Sequence, residues 1–425
     1  MNRLILAACI AASIAAGSAQ AAQGRVPDGI PSLDHVFVIM MENHAYGQVA
    51  GNPQAPFINA LMAKANVAKN YYAIAHPSLT NYLEVVGGSN FNNLSDQYPD
   101  WHNAACIPNI APGRATNTDT PDSGPVCPIH GRGIDAPTPA LDMTMNETSA
   151  PPLANIDGTR WIPASNNIDG ITIADQLVRA GKSWKSYQEG LPEIGADGVN
   201  VSDGYYSAGG KNAAGVNVTS DFAALSTPGN PVSASNIVYL YAVKHNPFVY
   251  FKSVQEGWEP ELSLRRVAAF EGQHGLYADL KAGTVPNFSF IAPNQCNDMH
   301  GRGNGTAFCN YDADDNGTQV GLNPSLILQG DMALQRIVTA IKASKVWEER
   351  RSAIVILWDE NDYSTHTSNQ VVTIVDTNYG RHHVASTKYY NHYSLTRTLD
   401  AAFNLPCLNH ACDADVDVMA DLFGR

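Results

Sequence analysis

The 425-residue chain is short of basic residues: 26 Lys and Arg stand against 40 Asp and Glu, a formal net charge of −14. It therefore lacks the overall basic footprint of a nucleic-acid binder. After its N-terminus it has no apolar stretch near the roughly 20 residues that span a bilayer. It has no C-x-x-C pair to suggest a thiolate metal site and no internal repeat. A serine-esterase G-x-S-x-G elbow is also missing, since Ser78 stands in Pro77-Ser78-Leu79. What remains is 44% hydrophobic, 16% charged and 8% aromatic. That is too apolar for disorder and too mixed for a membrane bundle. The length admits one large α/β domain or two ordinary ones. With 34 Gly and 25 Pro spread widely, loops are expected through much of the chain.

Residues 1–21 have the build of a secretory signal peptide. Arg3 supplies the positive start, Leu4 to Ala16 the apolar run, and Ala19-Gln20-Ala21 an A-x-A cleavage site. Cleavage there removes one Arg and no acid, so the mature chain, 22–425, is one charge more negative. The Leu6-Ala7-Ala8-Cys9 run resembles a lipoprotein processing box, but it would leave an apolar run of only a few residues. The mature protein is expected in the periplasm or outside the cell. Six cysteines follow: Cys106, Cys127, Cys296, Cys309, Cys407 and Cys412. An even number in an exported chain points to disulfides. Proximity pairs them Cys106–Cys127, Cys296–Cys309 and Cys407–Cys412.

Four short apolar runs read as buried parallel strands: His35 to Met41, Pro247 to Phe251, Asn287 to Ile291 and Ala353 to Trp358. Val371 to Val375 is a weaker fifth. Helical periodicity marks Ile173 to Ala180, Asp331 to Ser344 with Asp331 placed as N-cap, and Tyr393 to Phe403. Strands alternating with helices predict an α/β fold, a mostly parallel central sheet with helices on both faces. Ligands of such folds bind beyond the carboxyl ends of the strands. Asn90 to Asn167, rich in Pro, Asn, Asp and Gly, reads as a disulfide-pinned insertion over the site rim, within a single domain over 22–425.

The first strand ends in Met41-Glu42-Asn43-His44 and the fourth in Trp358-Asp359-Glu360-Asn361-Asp362. Carboxylates and an amide are hard oxygen donors suited to a divalent cation. Either cluster alone also reads as an ordinary capping or solvated loop. Two of them at strand carboxyl ends could serve one metal. Between them lies His76-Pro77-Ser78-Leu79-Thr80-Asn81-Tyr82, followed by apolar residues and Gly87-Gly88. Ser78 either caps a helix or lies where helix N–H groups favour a phosphate. His245, in Lys244-His245-Asn246-Pro247, and His300, in Asn297-Asp298-Met299-His300, are candidates to protonate a leaving oxygen or to steady phosphoryl charge. His35, His102 and His130 read as structural or solvent-exposed. Asp312, Asp314, Asn316 and Gly317 match the opening of a calcium loop, although its twelfth position is Asn323 and not Glu. This motif supports a rival reading of another class, a non-catalytic exported calcium-binding module.

These segments, taken in order, resemble the bacterial and fungal phosphoesterase family of secreted acid phosphatases and phospholipases C, within the alkaline phosphatase superfamily. Ala174-Asp175-Gln176-Leu177, Ser183 to Glu189 and Asn391-His392-Tyr393-Ser394-Leu395 add to the likeness, which runs from about Leu33 to Leu405 and is greatest to the shorter acid-phosphatase branch. The resemblance implies an alkaline-phosphatase-like sheet with one catalytic centre. It places Glu42, Asn43, Asp359 and Glu360 on metal-binding positions, for a divalent ion whose identity the sequence does not give. Ser78 falls on the hydroxyl nucleophile, and Asn81 on an amide facing a phosphoryl oxygen. His245 and His300 fall on active-site histidines, with Asp298 beside the latter. Two positions depart from the family pattern. Glu360 stands where some members have Asp, and Thr80 replaces a proline, leaving a second hydroxyl near the nucleophile. The implied substrate is a phosphate ester, either a monoester or, for a phospholipase C, a phospholipid or phosphoinositide.

Overall fold

The computed structural model describes residues 24–91, 93, 96, 168–191, 205–206, 238–239, 241–256, 259–301, 309–313, 317–361 and 368–424. The leader at 1–21, the Cys106–Cys127 pair and nearly all of the 90–167 insertion lie outside them. Strands run as β1 (His35–Met41), β2 (Asn66–Ala68), β3 (Tyr71–Tyr72), β4 (Trp184–Gln188), β5 (Tyr205–Tyr206) and β6 (Val238–Tyr239). They continue as β7 (Val267–Ala268), β8 (Phe288–Ala292), β9 (Ser352–Trp358), β10 (Thr373–Thr377), β11 (Ala385–Ser386) and β12 (Tyr390–Asn391). One eight-stranded sheet has the order β11-β2-β10-β9-β1-β8-β4-β7. Its pairings are parallel except those of β10 with β9 and with β2, so the expected mostly parallel α/β sheet is what forms.

The centre of the sheet follows directly from the apolar runs. Every residue of β9, and every residue of β1 after His35, is buried. A strand covered on both faces reads as a continuous hydrophobic run. Each Val, Ile, Leu or Phe so buried contributes about 1.5–3 kcal/mol. The register sets Met41 opposite Trp358, so both strands deliver their next residues to the same edge. β4, Trp-Lys-Ser-Tyr-Gln, is no apolar run and is still a buried strand, because its polar groups are matched inside the fold. Tyr187 donates to Asp279 Oδ2 at 2.6 Å, and Ser186 donates to Asn246 Oδ1 at 3.1 Å.

Two expected elements are corrected. Pro247 to Phe251 is not a strand; Pro247–Tyr250 forms a 3₁₀ turn. Proline preceded by a non-helical Asn246 starts a helical turn readily. The apolar character of the run comes from burial of Phe248 against Trp184, with ring centroids 4.6 Å apart. The helix expected from Asp331 spans Pro324–Lys342, capped by Asn323 Oδ1 on the Ser325 N–H. Asp331 lies inside it and serves another helix. Its carboxylate accepts the Phe57 and Ile58 N–H groups at 3.1 and 2.8 Å, closing the start of Pro56–Met62. The remaining expected helices form as Ile173–Arg179 and His392–Phe403.

The Ser78–Gly87 helix is buried along its whole length and packs on His392–Phe403. It stops at Gly88, whose φ of 64° and approach to the Leu408 carbonyl leave no room for a Cβ. The Cys296–Cys309 and Cys407–Cys412 disulfides are present as paired by proximity. Among the described residues no helix is long and apolar enough to cross a membrane.

Asp331→Ala removes both acceptors at the Pro56 helix start. It should cost about 1–2 kcal/mol, read as a lower thermal midpoint. An unchanged midpoint would show that water replaces this cap.

Candidate active site

The β1–β9 register builds the site. Asp359 donates its N–H to the Met41 carbonyl at 2.9 Å, and Glu42 donates its N–H to the Asp298 carbonyl at 2.9 Å. The exits of β1, β8 and β9 are thereby stitched together. Asn43 adopts φ 35°, a left-handed conformation that Asn tolerates, and its N–H reaches Asp359 Oδ1 at 3.1 Å. Into this corner the Ser78–Gly87 helix brings its first residue. Pro77, not Ser78, occupies the cap position, and no side chain caps the helix. The capping reading of Ser78 is therefore not what the fold uses.

Instead, the Ser78 Oγ lies 3.0 Å from Glu42 Oε2, 3.1 Å from Glu360 Oε1 and 3.4 Å from Asn43 Oδ1. One hydroxyl proton cannot satisfy three acceptors. Thr80, the second hydroxyl, donates away from them to the Asn93 carbonyl at 3.1 Å. Asn81 gives its amide hydrogens to the Ala75 carbonyl and to Glu360 Oε2 at 2.7 and 3.1 Å, while its oxygen accepts the Ile74 and Ala75 N–H groups. In this arrangement Asn81 fixes Glu360 and the segment before Ser78. His76, adjacent to the Pro77-Ser78 step, places Nδ1 2.8 Å from Glu360 Oε2.

The histidines close the other side. His245 Nε2 lies 3.2 Å from Glu42 Oε1 and Nδ1 lies 3.3 Å from Asp298 Oδ2, with the ring stacked on Tyr82. His300 donates its backbone N–H to Asp298 Oδ1 at 2.7 Å and stands edge-on to His245. Lys244 Nζ lies 3.4 Å from His300 Nε2. All nine residues expected at the site converge here. His76 and Lys244 join them, although the sequence reading left them out. Their signal was adjacency, each lying within two residues of a chosen residue.

Burial, and then repulsion among the acids, drives the Glu42, Asp359 and Asp298 carboxyls well above the ordinary carboxylate range. Lys244 opposes this for Glu42 and Asp298. Burial pushes His245 well below the usual imidazole value. Among the described residues no three His, Cys, Asp or Glu side chains form a ready cage for a metal. The donor set is instead mixed: the Glu42, Asp359 and Glu360 carboxylates, the Asn43 amide oxygen and the Ser78 hydroxyl. Asp359 Oδ2 is buried and accepts no hydrogen bond. All-oxygen donors carrying excess negative charge and one orphaned oxygen fit a hard divalent cation.

Two of the calcium-loop residues, Asp312 and Asn323, are otherwise engaged. Asp312 pairs its Oδ2 with His44 Nε2 at 2.9 Å and accepts the Asn323 N–H on Oδ1, while Asn323 is a helix cap. Asp314 and Asn316 lie outside the described residues. His35, as expected, is structural, with Nδ1 donating to the Pro286 carbonyl at 2.8 Å; His102 and His130 lie outside the described residues.

The profile of the Phosphoesterase family matches residues 52–310. A phosphatidylinositol-3-phosphatase of Mycobacterium tuberculosis is 24% identical over 413 residues, covering 96% of this chain and 89% of that protein. A phosphate-repressible acid phosphatase of Penicillium chrysogenum is 24% identical over 273 residues, covering 63% of this chain and 51% of that one. Among solved structures, a protein in the alkaline phosphatase superfamily from Vibrio parahaemolyticus superposes with TM-score 0.42 at 10% identity, covering 95% of this chain and 71% of its own. The lipoteichoic acid synthase LtaP of Listeria monocytogenes gives TM-score 0.43 at 9% identity, covering 95% and 79%.

The acid loop after β9 is fixed from behind. Tyr71 donates to His392 Nδ1 at 3.1 Å, and His392 Nε2 donates to the Asp359 carbonyl at 2.7 Å. Burial lowers His392 to about 4, whereas an unfolded His titrates near 6.5. Between those values the unfolded chain binds the extra proton. This contribution is therefore complete above about pH 6.5 and falls by about 3 kcal/mol as the pH drops towards 4. Denaturant unfolding across that range should show a shallower loss for His392→Gln than for wild type. Parallel curves would mean that His392 is not held neutral.

Proposed function

Because the chain belongs to the Phosphoesterase family and hydrolyses phosphoric esters, we propose that it is a metal-dependent phosphomonoesterase of the acid-phosphatase type with Ser78 as nucleophile. The observation that carries this reading is the single buried hydroxyl ringed by oxygens of Glu42, Asn43 and Glu360. A divalent cation held by Glu42, Asn43, Asp359 and Glu360 would favour the alkoxide of Ser78 and offset charge on the transferring phosphoryl oxygens.

Ser78 Oγ attacks phosphorus in line with the departing alcohol. The new O–P bond forms as the ester O–P bond breaks, and the hydroxyl proton passes to one of the carboxylates beside it. In its imidazolium form, with Nδ1–H donated to the Gly301 carbonyl at 2.9 Å, His300, which is less enclosed than His245, protonates the leaving oxygen from Nε2. Water then cleaves the phospho-Ser78 ester and restores the hydroxyl. Glu360 stays oriented through His76 and Asn81, and Asp298 holds both histidines in place.

A lipid-borne monoester is the second substrate reading. It is favoured by the phosphatidylinositol-3-phosphatase that aligns with nearly the whole chain. The leader-like residues 1–21 support export to the periplasm or beyond.

Ser78→Ala should lower turnover of a chromogenic monoester by about a thousandfold or more with the thermal midpoint retained. Acid quenching of the wild type should trap phosphate on Ser78. Normal turnover by the variant would exclude the covalent scheme. Exhaustive chelation should abolish activity and divalent metal restore it; activity that survives chelation would exclude the cation. Across a monoester, a diester, phosphatidylcholine and a 3-phosphorylated phosphoinositide, the two monoesters should be hydrolysed fastest. A preference for phosphatidylcholine would instead identify a phospholipase C.

A further inference from the structure

Beside the Ser78 hydroxyl the chain builds an anion seat and fills it with one of its own carboxylates. Leu79, the residue after Ser78, points its N–H at Asp96 Oδ1, 3.0 Å away. Its N–H belongs to the first turn of the helix, where such groups lack helical partners and carry partial positive charge. Lys244 Nζ reaches the other oxygen, Asp96 Oδ2, at 2.9 Å. The lysine is only 5% exposed, and its ammonium also stands 3.4 Å from His300 Nε2. The two donors thus come from different segments and meet on the two oxygens of one carboxylate, next to both the nucleophile and the proposed acid.

A carboxylate offers two oxygens on one edge, and so does a phosphoryl group. Charge-assisted hydrogen bonds of this kind are short and comparatively strong. We propose that Asp96 is a built-in competitor of the substrate. Its carboxylate occupies the position where two phosphoryl oxygens of a monoester would rest on the Leu79 N–H and Lys244 Nζ, and inorganic phosphate or a monoester binds there by displacing it. The proposal rests on Ser78 being the nucleophile, because Leu79 marks the seat only through its neighbour. It also carries a selectivity. A doubly charged monoester has more to gain from Lys244 than Asp96 does, whereas a singly charged diester merely matches the carboxylate it must remove. Asp96 would therefore weaken product retention and disfavour diesters.

The test is calorimetric titration of inorganic phosphate into the protein as purified, with KM for a chromogenic monoester measured in parallel. Asp96→Ala should bind phosphate about tenfold more tightly and lower KM. Asp96→Asn keeps an oxygen for the Leu79 N–H but not the charge, and should show part of that gain. Combining Asp96→Ala with Lys244→Met should cancel the gain. Phosphate binding by Asp96→Asn that is equal to or weaker than wild type overturns the proposal, and this variant decides the matter if the alanine form does not fold. Turnover surviving in Ser78→Ala would remove the nucleophile assignment while leaving the phosphate titration readable, so the two failures are distinct.

Discussion

Repulsion among buried carboxylates is the constraint on which this site depends. Glu42, Asp298, Asp359 and Glu360 are all fully enclosed, and their mutual repulsion adds to the desolvation that each already suffers. A fold gains nothing in stability from such a grouping. Its existence calls for a compensating positive charge and for a frame rigid enough to keep the acids from turning away. The frame is visible: parallel β1 and β9 in fixed register, Asn81 and His76 on Glu360, His392 behind the Asp359 carbonyl, and His245 between Glu42 and Asp298. Lys244 is the local cation, and it is committed to Asp96 and His300 at one side of the centre.

The same arrangement explains why the hydroxyl beside these acids comes from a helix. Strands aligned in one sheet can deliver acids side by side, but a hydroxyl among them has to approach from another direction. The Ser78 helix does so with its first residue, held by burial along its length and by a left-handed stop at Gly88. The matched family segment, 52–310, includes Ser78, Asn81, His245, Asp298 and His300 but neither acidic pair. Those arrive from chain regions outside it, and only sheet order brings Glu42 and Asp359 to the same edge.

Much of this was legible from residue order. β1 and β9 announce themselves as unbroken apolar runs that end in acids, because strands buried on both faces have no polar alternation to obscure them. The Ser78 segment shows its helix through the apolar spacing and the glycine stop. Where the reading erred, a local pattern served a distant partner. The Pro247 run is apolar because it packs on Trp184, not because it pairs with a strand. Asp331 looks like the cap of its own helix and instead caps the one at Pro56. His76, Lys244 and Asp96 gain their meaning from contacts with residues far away in sequence, which spacing along the chain cannot reveal.

The most direct measurement is the divalent metal content of the purified protein, by elemental analysis after dialysis, for wild type and for Asp359→Asn. A stoichiometric ion is expected in the wild type and should be lost from the variant while its circular dichroism stays native. Equal metal content in the two, or none in an active wild type, would contradict a cation held by Asp359.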